Sequence, residues 1–348
     1  MREQAGELRP TRGCRRPSLA LRPVALGQLL NRNVRSIEMK GLDISRRFFA
    51  EWGLPWLQRQ WPQVVGRLAA GRVGGSDIIG ADDEWSRDHD WGPRFDLWLT
   101  RDDHRRFGRR LRKEINAAAP NEFMGAKFHF FGKEKENVNV ESIDACFEYH
   151  AARSAPPVRA RDWFLQRRGK SLVERESWLY FLRHGEILHD PLGEFTTRRD
   201  AFARYPMDVR LKVMQSQCTT LWYVADYKLR WRLVHRADPY PFHFAVSQTI
   251  DAAMRLCFYL NDDYAPHWQW LHHEFGKLPE SEALGPILDR FLAGRTAEEC
   301  AAVVQDIIDF LTFRLADQGW IESGHSDIQR AADEIKARIG DKAIREMY

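Results

Sequence analysis

The sequence predicts an α+β protein: a small mixed sheet with flanking helices in the N-terminal half, followed by an all-helical region. Two patterns carry this expectation. The stretch "RFDLWLT" (94–100) alternates apolar and polar residues and is followed directly by "RDDHRRFGRRLRKEINAA" (101–118), which opens with acids and ends before Pro120 as a helix does. Strands interleaved with helices indicate a mixed unit. After "GEILHDPLGEF" (185–195) the periodicity becomes helical throughout; Cys300, Val303, Val304, Ile307, Ile308, Leu311 and Leu315 fall at i, i+3, i+4 positions.

Residues 1–38 carry clustered Arg and Pro with little periodicity, and a fresh start begins at Met39. They read as a basic, disordered extension, or as the product of a start codon placed upstream of Met39. From Ile44 to Trp61 the apolar residues recur at three- and four-residue spacings, and Pro55 predicts a break into two helices. A second apolar step, Val64 to Val73, runs into a Gly74-Gly75-Ser76 turn. In "RFDLWLT", Phe95, Leu97 and Leu99 share one strand face. Lys127–Phe131, Val138–Val140 and "GEILHD" are further strand candidates. Helical spacing then covers 198–231, 241–260, 266–277, 283–292, 297–316 and 328–348.

Bulk properties exclude several classes. A hydrophobic fraction of 44% and a charged fraction of 29% over 348 residues describe a globular chain, not a disordered or fibrous one. No run approaches the length of a membrane-spanning helix, and no signal-peptide pattern is present, so a cytoplasmic location is expected. The five cysteines, Cys14, Cys146, Cys218, Cys257 and Cys300, include no CxxC pair and read as buried thiols. A formal charge of +4, with much of the excess in the first 35 residues, gives no strong DNA-binding signal.

The stretch "GGSDIIGADDEWSRDHDWG" (74–92) carries the candidate chemistry. Phosphate chemistry needs backbone N–H groups for the anion and paired carboxylates for Mg²⁺, which prefers oxygen ligands. A Gly-Ser turn entering a helix supplies the first at Gly75 and Ser76. Asp88 and Asp90, one residue apart, point to the same side of an extended segment and supply the second. A P-loop is dismissed: Gly66 to Val73 has the glycine spacing, but Arg72 and Val73 replace the lysine and hydroxyl.

Gly75-Ser76, eleven residues, then Asp88-His89-Asp90 ahead of an apolar strand resembles the signature of the polymerase-β-type nucleotidyltransferase superfamily. "SRDHDWGPR" (86–94), "HGEILHDPLGEF" (184–195), "RYPMDVRLKVM" (204–214) and "CFYLNDDYAPHWQWL" (257–271) are similar, in that order, to an uncharacterised family of nucleotidyltransferase-like proteins. The resemblance implies a nucleotidyltransferase-like domain over 39–196 and a helical domain over 197–348. It implies that Gly75 and Ser76 bind the phosphates of a nucleoside triphosphate, ATP among the possibilities, and that Asp88 and Asp90 hold catalytic Mg²⁺, for which Mn²⁺ could substitute. An NMP would pass to a hydroxyl acceptor, a small molecule, a protein or an RNA end, with release of pyrophosphate. The pattern departs from the superfamily in two ways. "WGPR" intervenes before the strand, and the third carboxylate has only Asp96 and Glu141 as candidates. This raises the alternative of a nucleotide-binding sensor or interaction protein that has lost turnover.

Other residues are weighed against bland roles. His89 reads as a loop histidine. Arg87 and Arg94 could clamp a triphosphate or form local salt bridges to the acids. His184, His189 and Asp190 read as structural, and "HWQWLHHEF" lacks the H-E-x-x-H of a zinc hydrolase. Arg230 and His235 have the R-x4-H spacing of helical ribonucleases, a pairing that chance also produces. The thirteen tryptophans read mostly as core.

Overall fold

The computed structural model describes residues 40–83, 91–127, 136–165, 171–236 and 238–347. Contacts divide the chain into residues 1–38 and a compact unit of residues 39–348. The expected N-terminal extension lies outside the described residues.

The first helical run is α1 (Gly41–Phe48), a π-helical turn (Phe49–Gly53) and α2 (Leu54–Gln60), followed by α3 (Pro62–Val65). The break expected at Pro55 does not occur. Proline cannot donate an N–H and crowds the carbonyl four residues back. Here the wider wind just before it, in which Leu54 N–H donates to Phe49 O, lets the helix pass through with Pro55 in the first turn of α2.

Strand β1 (Ala69–Arg72) leads into the Gly-Ser stretch, and β2 (Phe95–Leu99) follows it. Helix α4 (Arg101–Asp103), a π turn (His104–Gly108) and α5 (Arg109–Ala118) make the helix expected over 101–118, with the Thr100 hydroxyl accepting from Asp103 N–H at its start. A two-stranded hairpin, β3 (Glu122–Phe123) and β4 (Ala126–Lys127), and then β5 (Val138–Ser142) come next. Of the strand expected at 127–131, residues 128–131 lie outside the described residues. Helices α6 (Ile143–His150) and α7 (Leu172–His184) precede the last strand, β6 (Glu186–His189).

The four-stranded sheet has the order β5-β2-β1-β6, with β1 antiparallel to both neighbours and β2 parallel to β5. Both faces are covered. Phe95, Leu97, Leu99, Val138 and Val140 pack with Phe48, Leu57, Trp61 and Leu111 from the flanking helices, while Trp98 faces the other way and stacks on Phe195 at 4.1 Å between ring centroids. The period of two in the sequence thus sorts residues between two cores. Gly71 is required at the centre of β1, because a Cβ there would lie 2.2 Å from the Glu186 carbonyl oxygen and 3.0 Å from the Trp98 ring.

Eight helices follow: α8 (Glu194–Ala201), α9 (Met207–Thr220) with a π-helical continuation (Leu221–Leu229), α10 (Pro239–Leu260), α11 (Trp268–Phe275), α12 (Ser281–Ala293), α13 (Ala297–Asp317), α14 (Ile328–Ala337) and α15 (Lys342–Arg345). One apolar cluster runs from Trp98 and Phe147 through Phe195 to Leu256 and Leu311, so the segments before and after residue 196 share a core. Cys146, Cys218, Cys257 and Cys300 are buried free thiols, and among the described residues no helix is long and apolar enough to cross a membrane.

A buried polar knot ties α7 to α10. Glu176 accepts hydrogen bonds from the Tyr205 hydroxyl (3.0 Å), the Tyr259 hydroxyl (3.0 Å) and Arg255 (3.2 Å). Burial pushes its carboxyl up to about 7, against the pull of Arg255 and the two tyrosines. Removing one partner leaves the others buried and unmatched. Glu176→Ala is therefore expected to lower the unfolding free energy by about 3 kcal/mol, measured by urea denaturation, with Glu176→Gln losing less.

Candidate functional site

The site begins with an arginine inside a sheet. Arg72, the last residue of β1, is 1% exposed, and its guanidinium donates to Asp77 Oδ2 (2.9 Å), to Gly74 O (3.2 Å) and across to Asp96 Oδ2 (3.5 Å). A buried charge is costly unless paired, so the chain after β1 folds back to bring Asp77 onto it. The backbone bends through Gly74 (φ 95°) and Gly75 (φ 112°), conformations that side chains rarely adopt.

The helix expected after the Gly-Ser turn does not form. Residues 76–80 make tight turns instead, held by Ile78 N to Gly75 O, Gly80 N to Asp77 O and Ala81 N to Ser76 O. The turn follows the demand of Asp77 for Arg72, not helical propensity. The N–H groups of Gly75 and Ser76 and the Ser76 hydroxyl take no partner among the described residues, and no helix dipole stands behind them.

Asp88 and Asp90, the expected metal ligands, lie outside the described residues, as do Arg87 and His89. The two candidates for a third carboxylate come together on neighbouring strands. In the parallel β2–β5 pair Asp96 sits opposite Asn139 and Trp98 opposite Glu141, which puts both acids on one face of the sheet. Asp96 is held by Arg72 and by Arg94, 3.9 Å away. Among the described residues Glu141 has no such cation within ion-pair distance. Burial, with the Asp96 charge added, pushes it up to about 7, and Asn139 donates to its Oε1 at 3.2 Å. Among the described residues no group of three or more His, Cys, Asp or Glu is placed to hold a metal ion.

These groups line one cavity of about 760 Å³, within the range of small-molecule sites. The turn Val73–Asp77 and the carboxylates of Asp96 and Glu141 form one side. Tyr149 and His150 at the end of α6, Trp178 and Phe181 on α7, and Gln269 and Trp270 on α11 form the other. The helical region also fixes the turn: Lys277 Nζ donates to Ile79 O (2.7 Å) and to Glu274 (2.6 Å). On the opposite flank Gly41 N–H, at the start of α1, donates to the fully buried Asp82 (2.7 Å), and Trp91 Nε1 donates to the same oxygen (3.1 Å).

The remaining sequence candidates have separate partners. His184 pairs with Asp263, His189 with Val65 O, and Asp190 accepts from Thr196 N–H. Arg230 is bound to Asp226 and Gln305, while His235 sits in a short 3₁₀ turn (Leu233–His235). Of the tryptophans, Trp61, Trp98 and Trp163 are buried, whereas Trp231 and Trp268 stand exposed. Sequence reasoning missed Asp77 and the α7 and α11 walls; an arginine inside the apolar strand "AAGRV" was the available signal for the first.

A family described as a domain of unknown function (DUF4037) matches residues 172–271, from α7 to α11. None of the curated proteins matches the chain. Among solved structures, the crystal structure of a nucleotidyltransferase-like protein from Exiguobacterium sibiricum 255-15 resembles it at 10% identity and a TM-score of 0.32, over 79% of this chain and 77% of that one. That likeness is distant.

A Cβ on Gly75 would lie 2.5 Å from Asp77 Oδ1 and 3.1 Å from Arg72 Nη2. Gly75→Ala is therefore expected to destabilise the fold by about 1–3 kcal/mol, from backbone strain and a disturbed buried pair. Thermal unfolding would show this as a lowered Tm, with Gly80→Ala, whose added Cβ meets nothing within 4 Å, losing less.

Proposed function

We propose that the chain is a nucleotidyltransferase that moves a nucleoside monophosphate from a triphosphate to a hydroxyl acceptor and releases pyrophosphate. The observation that supports this most is Glu141. It faces the cavity that the Gly75-Ser76 turn enters, beside Asp96, and its carboxyl is pushed up to about 7. A carboxylate in that range is suited to accepting a proton at neutral pH. Asp96 is instead engaged by two arginines, Arg72 and Arg94.

In this reading the N–H groups of Gly75 and Ser76 and the Ser76 hydroxyl donate to phosphate oxygens. The acceptor oxygen forms a bond to the α-phosphorus, the bond to pyrophosphate breaks, and the acceptor's proton passes to Glu141. The base rests against the aromatic wall of Trp178 and Trp270. The all-oxygen donors fit a hard cation, with Asp88 and Asp90 as its ligands. Mg²⁺ there would neutralise charge on the triphosphate.

The grip of Arg72 on Asp96 favours a second reading, a nucleotide-binding sensor without turnover. Calorimetry with each NTP, with and without Mg²⁺, together with pyrophosphate release across candidate acceptors, separates the two. For the transferase, Asp88→Ala with Asp90→Ala abolishes metal-dependent binding. Glu141→Gln keeps binding and lowers turnover about 10²–10⁴-fold. Because the base works ionised, kcat/KM should rise as pH increases through about 7 and then level. Unchanged binding in the double variant, or full turnover in Glu141→Gln, would sink the assignment; binding with no pyrophosphate leaves the sensor.

A further inference from the structure

The π-helical continuation of α9 builds a surface unlike the rest of the helical region. Three contacts there join residues five apart. Trp222 and Tyr227 are stacked with ring centroids 6.3 Å apart, Lys228 Nζ lies 5.0 Å from the Tyr223 ring, and Arg232 Cζ lies 5.3 Å from the Tyr227 ring. In an α-helix, residues five apart point about 140° away from each other. The wider π wind brings them onto one side and makes a stripe of alternating rings and cations.

Further rings stand exposed where the chain passes into the next helix. Residues 230–238 link the π segment to α10, which packs against it, so Trp231 and the first turns of α10 lie at one end of this hairpin. Trp231 (64%), Tyr240 (85%) and Phe244 (64%) are exposed there, with no ring or cation stacked on them among the described residues. The acids nearest in sequence are engaged: Asp226 binds Arg230, and Asp238 caps α10 by accepting from Tyr240 N–H. Lys228, Arg232 and Arg236 form no ion pair with a carboxylate among the described residues.

We propose that this end of the hairpin binds single-stranded RNA, with bases stacked on Trp231, Tyr240 and Phe244 and phosphates met by Lys228, Arg232 and Arg236. Exposed flat rings on the same hairpin as cations that pair with no carboxylate among the described residues offer what an unpaired strand needs: a π-face for each base and positive charge for the backbone. A lipid surface would need a free apolar helix face. Leu221, Ala225, Leu229, Phe242, Ala245 and Val246 of these helices are instead buried in the core. The proposal is independent of the transferase reading and is tested without triphosphate.

The test is fluorescence anisotropy of a labelled single-stranded RNA of roughly 12 nucleotides, titrated with the full chain over a range of salt. Trp231→Ala with Tyr240→Ala and Phe244→Ala should weaken binding about tenfold or more and leave binding of duplex RNA unchanged. Lys228→Gln with Arg232→Gln and Arg236→Gln should reduce the slope of log K against log salt by about 2. All six side chains lie at the surface or on its margin, and unchanged circular dichroism and urea midpoints confirm the fold of each variant. The arginines of residues 1–38 also attract phosphates, but they do not distinguish single strands from duplexes through these rings. Wild-type affinity for the single strand in the aromatic variant, equal loss of duplex binding, or no binding by the wild type would each overturn the proposal.

Discussion

The buried guanidinium of Arg72 is the constraint around which the rest is arranged. It stands in β1 with one hand on Asp77 and the other toward Asp96. An unpaired charge at that depth would be unaffordable in a domain of ordinary stability. The chain therefore has to double back at Gly74 and Gly75 to deliver Asp77, and that reversal aims the backbone of Gly75 and Ser76 into the cavity. The same arginine restrains Asp96 and leaves Glu141, on the next strand, as the acid with the unusual environment. A structural requirement of the sheet thus sets both the shape of the turn and the different surroundings of two carboxylates.

Much of the local structure was legible in the sequence, because it depends on neighbours. The alternation of "RFDLWL" gave β2 and its two faces, the acidic opening of "RDDHRRFG" gave the helix after it, and the 3.6 period of 297–316 gave α13. Helix α7 was overlooked although Ser171 and Glu174 form a capping box, a signal four residues long that was there to be found. Pro55 misled because proline's effect depends on the preceding wind, and a π turn has no simple sequence mark. The cavity was only half legible. Its Gly-Ser turn and Asp96 are close in sequence, but Glu141 comes from another strand, and Trp178, Gln269 and Trp270 reach the cavity across contacts spanning roughly a hundred residues or more, which no periodicity encodes.

Helix α11 shows that the helical region is part of the site and not an appendage to it. Glu274, buried, accepts from Tyr180 on α7 and from Lys277, and Lys277 in turn holds Ile79 O in the turn that follows Ser76. The stretch matched by the family, residues 172–271, runs from one aromatic wall of the cavity to the other and excludes the Gly-Ser turn. The wall and the turn are thus separate in sequence and are joined where Lys277 and His273 reach the Ile79 carbonyl, with the packing beneath them.

The alternation along β2 has a consequence for how such a chain can change. Phe95, Leu97 and Leu99 serve one core, while Asp96 faces the cavity and Trp98 the opposite core. Adding or deleting one residue within this strand would turn every side chain to the other face, placing a carboxylate among Phe48 and Leu111 and a leucine before Glu141. The packing of the sheet and the lining of the cavity would be lost in the same step. Changes of length are therefore barred from the strand and pushed into its connections, so this five-residue segment is a fixed ruler against which the rest of the chain can vary.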